Sequence, residues 1–382
     1  MIPYGRQDIR QEDIDNVIEA LKSDFLTQGP HVPEFEQALC QYTGAKYACA
    51  VNSATSALHI ACLALGLEKG NWLWTSPISF LASSNCALYC GAQIDFVDID
   101  PQTYNLSIEA LETKLKQAEK EQKLPKIVVP VHLCGQSCEM ERIYQLSQQY
   151  GFHIIEDASH AVGAKYQNQP VGNCRYSDIT VFSFHPVKII TTAEGGVAMT
   201  NQADLAEKLQ LFRCHGMTRD EKLMQGENHG TWYYQQIELG YNYRMTELQA
   251  ALGISQMKRL DEYVQQRQKL ADNYNQLLKG LPITLPHQHP DTYSSYHLYP
   301  VLTQNDSDRR ALFDYLRNNG IGVNVHYIPI HTQPYYQKMG FKENDFPEAE
   351  AFYKKTISLP LFAQLTNEEQ HYISQQLQDF YK

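Results

Sequence analysis

The chain has 382 residues, 43% of them hydrophobic, and a formal net charge of −11. That length supports two or three domains around a sizeable buried core. The acidic balance and the lack of any basic cluster speak against a nucleic-acid partner, and leave small anions held by a few local groups.

No apolar run approaches the roughly 18 residues of a membrane span. The opening MIPYGRQDIRQED has no apolar core of the kind that marks a secretion signal. A cytoplasmic protein without a membrane partner is therefore expected. Nine cysteines lie in apolar contexts such as Cys49, Cys62, Cys86 and Cys90, which suits reduced core thiols. Cys134 and Cys138 come nearest to a metal pair, but no second Cys/His pair follows at a usable spacing, so no metal is expected.

Along the chain, residues 11–22 place Ile14, Val17, Ile18 and Leu21 on one helical face. KYACAVN (46–52) reads as a strand that runs directly into the helix ATSALHIACLALGL. NWLWTS is a strand and SFLASSNCALYC a helix; QIDFVDI is a strand closed by Asp100-Pro101. Residues 107–120 are helical, KIVVPVHL is a buried strand, EMERIYQLSQQYG is a helix ending at Gly151, and FHIIED is another strand. This alternation predicts an α/β fold with a mostly parallel sheet and helices on both faces. In such sheets ligands gather at the carboxyl ends of the strands. From Thr246 the apolar spacing continues through Leu248, Leu252, Met257, Leu260, Val264, Leu270 and Leu277, predicting a single helix of about thirty residues. PITLP, YSSYHLYPVL, a helix over 307–318, GVNVHY and a last helix opened by Thr366 and Glu369 suggest a smaller α+β unit. We place the boundary at 250, with residues 1–250 as the large domain and 251–382 as the small one.

Four strand ends carry residues suited to chemistry. In VNSATSAL, Ser53, Ala54 and Thr55 open a helix, where free amides and hydroxyls meet a positive dipole end; this suits a phosphate, or equally an ordinary N-cap. In IIEDASHA, Asp157 could hold a cationic ring nitrogen or cap the next helix. In PISF, Phe80 could lie against a flat cofactor or fill the core. In FSFHPVKIITTAEGGVAMT, Lys188 stands among small and β-branched residues between two strand-like runs. Partial desolvation there lowers a lysine's pKa and makes its amine nucleophilic, whereas an isolated surface lysine would only cover apolar surface with its stem. Phosphate cup, acid, aromatic lid and buried amine together match the needs of pyridoxal 5′-phosphate.

The motifs, in this order and wording, closely resemble the DegT/DnrJ/EryC1/StrS sugar aminotransferases. The matching runs include FLTQGPHVPEFEQALCQYTGAKYACAVNSATSALHIA, EDASHAVGAKY, SFHPVK with TAEGGVAMTN, GYNYRMTELQAALG and VHYIPIHTQPYY, and span nearly the whole chain. The resemblance implies a fold type I enzyme with pyridoxal 5′-phosphate held as a Schiff base by catalytic Lys188. It further implies that Asp157 pairs with the ring nitrogen, Phe80 stacks on the ring and His160 lies beside it. Ser53, Ala54, Thr55 and Ser183 would hold the phosphate. Asn242 of the neighbouring subunit would complete the site in a homodimer. Tyr4, the loop Asp24, Phe25, Leu26, Thr27, and the segment Asn324, Val325, His326, Tyr327 would touch the sugar nucleotide. The implied reaction moves an amino group from L-glutamate, releasing 2-oxoglutarate, to C4 of a UDP-4-keto-6-deoxy-N-acetylhexosamine on the route to pseudaminic acid. A 4- or 3-aminotransferase for another nucleotide-linked keto sugar is the alternative. Dehydratases of the same fold carry histidine where this chain has Lys188, and a non-enzymatic binding protein would have no need to keep every cofactor group. Ile189 stands where relatives carry proline.

Overall fold

In the strand Ile127–Val129, Val128 faces one apolar core while Ile127 and Val129 face another. This two-residue alternation, repeated by Ile154 and Ile155, is the signature of a strand buried on both faces. The computed structural model, which describes all 382 residues, builds seven such strands into one sheet. They are β1 (Tyr47–Val51), β2 (Trp72–Thr75), β3 (Gln93–Phe96), β4 (Ile127–Val129), β5 (His153–Asp157), β6 (Ile179–Ser183) and β7 (Gly196–Thr200). The order is β1-β7-β6-β5-β4-β2-β3. All neighbours are parallel except at β7, which runs antiparallel to both β6 and β1. The mixed sheet flanked by helices is that of a fold type I transferase.

Helices Ala54–Ala64, Ala82–Tyr89 and Ala203–Arg213 supply apolar residues to the core on one face of the sheet. Helices Ile108–Glu121 and Met140–Tyr150 pack on the other face near β2, β4 and β5, and His31–Thr43 covers the β1, β6 and β7 end. A separate core lies around the antiparallel strands Ile283–Thr284, Tyr299–Thr303 and Thr356–Leu359, with the helices Asp306–Asn318 and Asn367–Phe380. The last helix begins with the expected capping box: Thr366 Oγ1 accepts from the Glu369 amide at 3.1 Å, and the Thr366 amide donates to Glu369 Oε2 at 2.9 Å.

The structure corrects two expectations about packing. The long helix is two, Glu247–Met257 and Leu260–Leu277, broken at Lys258 and Arg259. Arg259 leaves helical geometry with φ −114° and ψ 7°, and its guanidinium reaches back to Asp13 on the first helix at 2.6 Å and 2.7 Å. Within Leu260–Leu277, Tyr263 and Val264 join the large-sheet core while Leu270 and Tyr274 join the second core, so this helix ties the two together. The first helix, Gln11–Lys22, is where expected, but its apolar face looks outward: Ile14, Ile18 and Leu21 are 43%, 39% and 55% exposed.

The face turned inward instead buries Asp13 and Ala20. Asp13 accepts from Arg259, from Gln256 Nε2 at 2.9 Å and from the Arg10 amide at 2.8 Å. Burial opposes its charge, but the hydrogen bonds from Arg259 and the Arg10 amide outweigh burial and hold the carboxyl below its ordinary value. Asp13→Ala leaves the buried Arg259 guanidinium only the exposed Glu12 carboxylate at 3.3 Å and is expected to destabilise the fold by about 3 kcal/mol, read by urea unfolding. Because the folded carboxyl titrates low, this contribution is present at neutral pH and fades only as pH falls through the folded value below the usual carboxylate range.

Candidate active site

The carboxyl ends of β1, β2, β5 and β6 open on one cleft of about 550 Å³. Ser53, Ala54, Thr55, Phe80, Asp157, His160 and Lys188 line it, facing Tyr4 and the segment 324–327. Tyr4 is carried there because the chain's start is stitched to the second core. The Ile2 amide donates to the Gly320 carbonyl at 2.8 Å, and the Leu361 amide donates to the Tyr4 carbonyl at 3.0 Å.

After β1 the backbone stays extended at Ser53 (φ −165°, ψ 157°) and then enters the helix Ala54–Ala64. Ser53 Oγ caps the helix by accepting from the Ser56 amide at 3.1 Å. The Ala54 and Thr55 amides and the Thr55 hydroxyl find no acceptor in the chain, so three donors stand free at the positive end of an 11-residue helix. Strand β7 passes hard against this turn. A Cβ at Gly196 would lie 2.5 Å from the Ser53 carbonyl carbon and closer still to the Ala54 nitrogen, so only glycine leaves the cradle its shape.

Asp157 ends β5 almost fully buried. Its oxygens accept from Ser83 Oγ at 2.5 Å, from Ser159 Oγ at 2.6 Å and from the Ser159 amide at 3.1 Å. All of these donors are neutral. A buried carboxylate without a cation partner is costly, and an incoming cationic ring nitrogen would supply the missing charge.

Lys188 lies in the loop joining β6 to β7. The loop is closed at its base by Phe184 N to Gly195 O and Thr192 N to Phe184 O, both 3.0 Å, while Ile189 and Ile190 anchor it in the core. The half-buried Nζ makes no hydrogen bond and no ion pair. Burial lowers the amine to about 8, although Asp157 and Cys134 pull it upward through space. Anchored isoleucines on one side and a desolvated, unpartnered amine on the other answer why a lysine sits in such apolar company.

On the far wall His160 accepts from the Cys134 amide through Nδ1 at 3.2 Å, which puts its proton on Nε2, 3.0 Å from the Tyr327 hydroxyl. Burial, then Lys188 and His326, drive His160 well below its ordinary value, so it is neutral. His326 is lowered to about 4 by burial and Lys188; its Nδ1 meets Ser358 Oγ at 2.8 Å. Tyr4 packs on His326, and Phe80 faces Tyr327 across 6.4 Å with 60% of its surface open.

A model of one protein family, described as the DegT/DnrJ/EryC1/StrS aminotransferase family, matches residues 7–378. The chain belongs to that family. Among relatives, the UDP-4-amino-4,6-dideoxy-N-acetyl-beta-L-altrosamine transaminase of Campylobacter jejuni is 38% identical over 380 residues, covering 99% of this chain and 96% of its own. Among solved structures, Helicobacter pylori PseC, an aminotransferase involved in the biosynthesis of pseudoaminic acid, superposes with a TM-score of 0.90 at 35% identity, covering 100% of this chain and 99% of its own. Spr1654 of Streptococcus pneumoniae, solved in a PLP-form, gives 0.89 at 29% identity, covering 100% and 98%.

Within this aminotransferase, the loop Asp24–Thr27, Asn242 and Ser183 stand outside the lining of their own chain's cleft. The loop Asp24–Thr27 packs beside the start of helix Glu247–Met257, with Thr27 paired to Thr246 and Phe25 and Leu26 about half exposed. Asn242 pairs with Cys214, and the neighbouring Tyr243 carbonyl accepts the Asn52 amide at 2.8 Å, which sets Asn242 next to the cradle strand without lining the cleft. Ser183 is buried at the end of β6, its hydroxyl 3.5 Å from the His185 amide. Sequence reasoning missed Ser83 and Ser159, the hydroxyls that hold Asp157, and His297, which joins the cleft lining. Ser159 follows Asp157 closely enough to have been suspected; Ser83 looks like any small residue of a packed helix. No helix of the structure is long and apolar enough to cross a membrane.

Proposed function

We propose that the chain is a cytoplasmic, pyridoxal 5′-phosphate-dependent aminotransferase. It moves the amino group of L-glutamate to C4 of UDP-2-acetamido-2,6-dideoxy-β-L-arabino-hexos-4-ulose, the transamination of pseudaminic acid biosynthesis. One juxtaposition carries the reading: an amine at Lys188 without a hydrogen bond and a carboxylate at Asp157 without an ion pair share one cleft with the free amides of Ala54 and Thr55. The names of the Campylobacter and Helicobacter relatives support the choice of sugar.

When bound, pyridoxal phosphate supplies an aldehyde that bonds amines and a cationic ring that draws electrons from the reacting carbon. Ser53, Ala54, Thr55 and Ser183 would hold its phosphate, Asp157 would keep the ring nitrogen protonated, Phe80 would cover the ring, and His160 would border it. Lys188 Nζ would hold the aldehyde carbon covalently. With the donor bound, the free Nζ would take the proton from the amino acid's Cα. In the second half-reaction it delivers a proton to C4 of the sugar. Tyr4, Asn324, Val325, His326 and Tyr327 border the space left for the hexose.

The working unit is a homodimer. The outward apolar residues Ile14, Ile18, Leu21, Phe25 and Leu26 need cover, and a second copy would bring Asn242 and the loop Asp24–Thr27 to the partner's cleft.

The test is incubation of the loaded protein with glutamate and, in parallel, the UDP-4-keto-6-deoxy-L-arabino- and D-xylo-hexuloses, with NMR of each product. A 4-amino product from the L-arabino sugar is expected; amination of the D-xylo sugar instead would move the enzyme to another nucleotide-sugar pathway. Borohydride reduction and peptide mapping should place the cofactor on Lys188.

A further inference from the structure

Most polar side chains around the cleft are already engaged. Both nitrogens of His160 and both oxygens of Asp157 have partners, and His326 meets Ser358 and Asn324. Of the three buried histidines lining the cleft, His297 alone makes no hydrogen bond through its ring. Only 4% exposed, it lines the cleft with its ring centroid 4.4 Å from that of His160. Its Nδ1 is sealed from solvent without a partner. Nε2 also makes no hydrogen bond but is not sealed, so the ring opens on the cleft through that atom. A sealed lone pair is tolerated more readily than a sealed, orphaned N–H, which puts the ring proton on Nε2, aimed into the cleft. Burial, then Lys188 and His160, keep the imidazole neutral.

Behind His297 stands an uncompensated positive charge. Arg267, 2% exposed, donates through one terminal nitrogen to the carbonyls of Tyr296 at 3.1 Å, His297 at 3.2 Å and Leu361 at 2.9 Å. No carboxylate pairs with it, and burial lowers it only to about 10, so it stays charged at neutral pH.

An N–H donor in front of a fixed cation selects an anionic acceptor. His297 and Lys188 line one cleft and feel each other's charge, so the ligand atoms His297 meets there include those attached to the reacting carbon. The diphosphate of a nucleotide sugar lies across the hexose ring from C4, and the cofactor phosphate has its own cradle at Ala54 and Thr55. The carboxylate bonded to the Cα that Lys188 deprotonates is the anion that fits. We propose that His297 binds the amino-acid donor, its Nε2–H donating to the α-carboxylate with the Arg267 charge behind it. This rests on the reading above that Lys188 works on an amino-acid donor.

The half-reactions separate this role from a structural one. His297→Phe keeps an aromatic ring but removes both nitrogens, and His297→Gln restores a donor. In the Phe variant the glutamate concentration giving half-maximal conversion should rise roughly 10- to 100-fold, with Gln recovering part of the loss. The half-reaction of the aminated enzyme with the keto sugar should change less than about threefold. Maleate, an unreactive dicarboxylate, should bind the Phe variant more weakly by the same factor in calorimetry. In wild-type protein maleate should shift the His297 Nε2–H resonance. Unchanged glutamate and maleate affinity in a folded Phe variant, or equal losses in both half-reactions, would overturn the proposal. Should the Phe variant not fold, an unmoved His297 resonance in the wild type does so alone. If glutamate never reacts with wild type yet maleate still moves that resonance, the functional reading fails and the carboxylate site stands.

Discussion

Lys188→Ala is expected to abolish amino transfer from glutamate, with a fall of about 10⁴-fold or more, the upper range for a positioned acid–base group. Its visible absorbance, retained by the wild type with cofactor bound, should shift to that of cofactor held without a covalent bond. The fold should survive, because Nζ has no hydrogen-bond partner that the substitution would orphan. A variant that kept the covalent absorbance, or more than a tenth of the activity, would remove Lys188 from the scheme.

The same amine predicts a stability effect in cofactor-free protein. Burial lowers Lys188 to about 8 in the fold, against about 10.4 in the unfolded chain. Between those values the unfolded state holds the extra proton, so the stability of the wild type rises with pH across that interval. Below pH 8 the fold carries a half-buried ammonium without a bonded partner. Lys188→Met should therefore raise the melting temperature of cofactor-free protein at pH 7, and the gain should shrink towards pH 10. A gap that stays constant with pH would mean the benefit is packing alone.

The strands and the four strand-end motifs were legible because each rests on a local signal. An apolar run with two-residue alternation stops at small or charged residues, and the rule placing ligands at strand ends does the rest. Lys188, Asp157, Phe80 and the Ser53–Thr55 turn meet in one cleft for that reason. What was not legible depends on distant partners. The break at Lys258 and Arg259 leaves the apolar spacing unbroken, and it falls where the Arg259 guanidinium turns to Asp13 and Glu12, more than two hundred residues away. The stripe Ile14, Ile18, Leu21 has the spacing of a core face, yet in one chain it is the buried Asp13 that marks the inner side. His297 lies inside YSSYHLYPVL and carries no local mark. Its meaning comes from Arg267 behind it and His160 beside it.

Asp157→Asn is the sharper test of the cofactor geometry, since it removes one charge while keeping shape. With the remaining oxygen in the place of Oδ1, the Ser159 amide and hydroxyl still donate to it, and the Ser83 hydroxyl can accept from the new amide while donating to Ser79 Oγ, so no native donor is left unpaired. What disappears is the anion opposite the ring nitrogen. Without it the ring loses its proton and its draw on the electrons released at the substrate carbon. Turnover should fall on the order of 10²–10³-fold, the usual cost of deleting one preorganised electrostatic group. Cofactor affinity should weaken as well, measured by dilution and absorbance. Ser83→Ala leaves the charge and removes one donor at 2.5 Å, so its loss should be far smaller. If Asp157→Asn kept activity within about threefold of wild type, the carboxylate would be only a cap for the turn at Ser159. The cleft would then lack the feature that distinguishes a ring-binding site from a simple phosphate pocket.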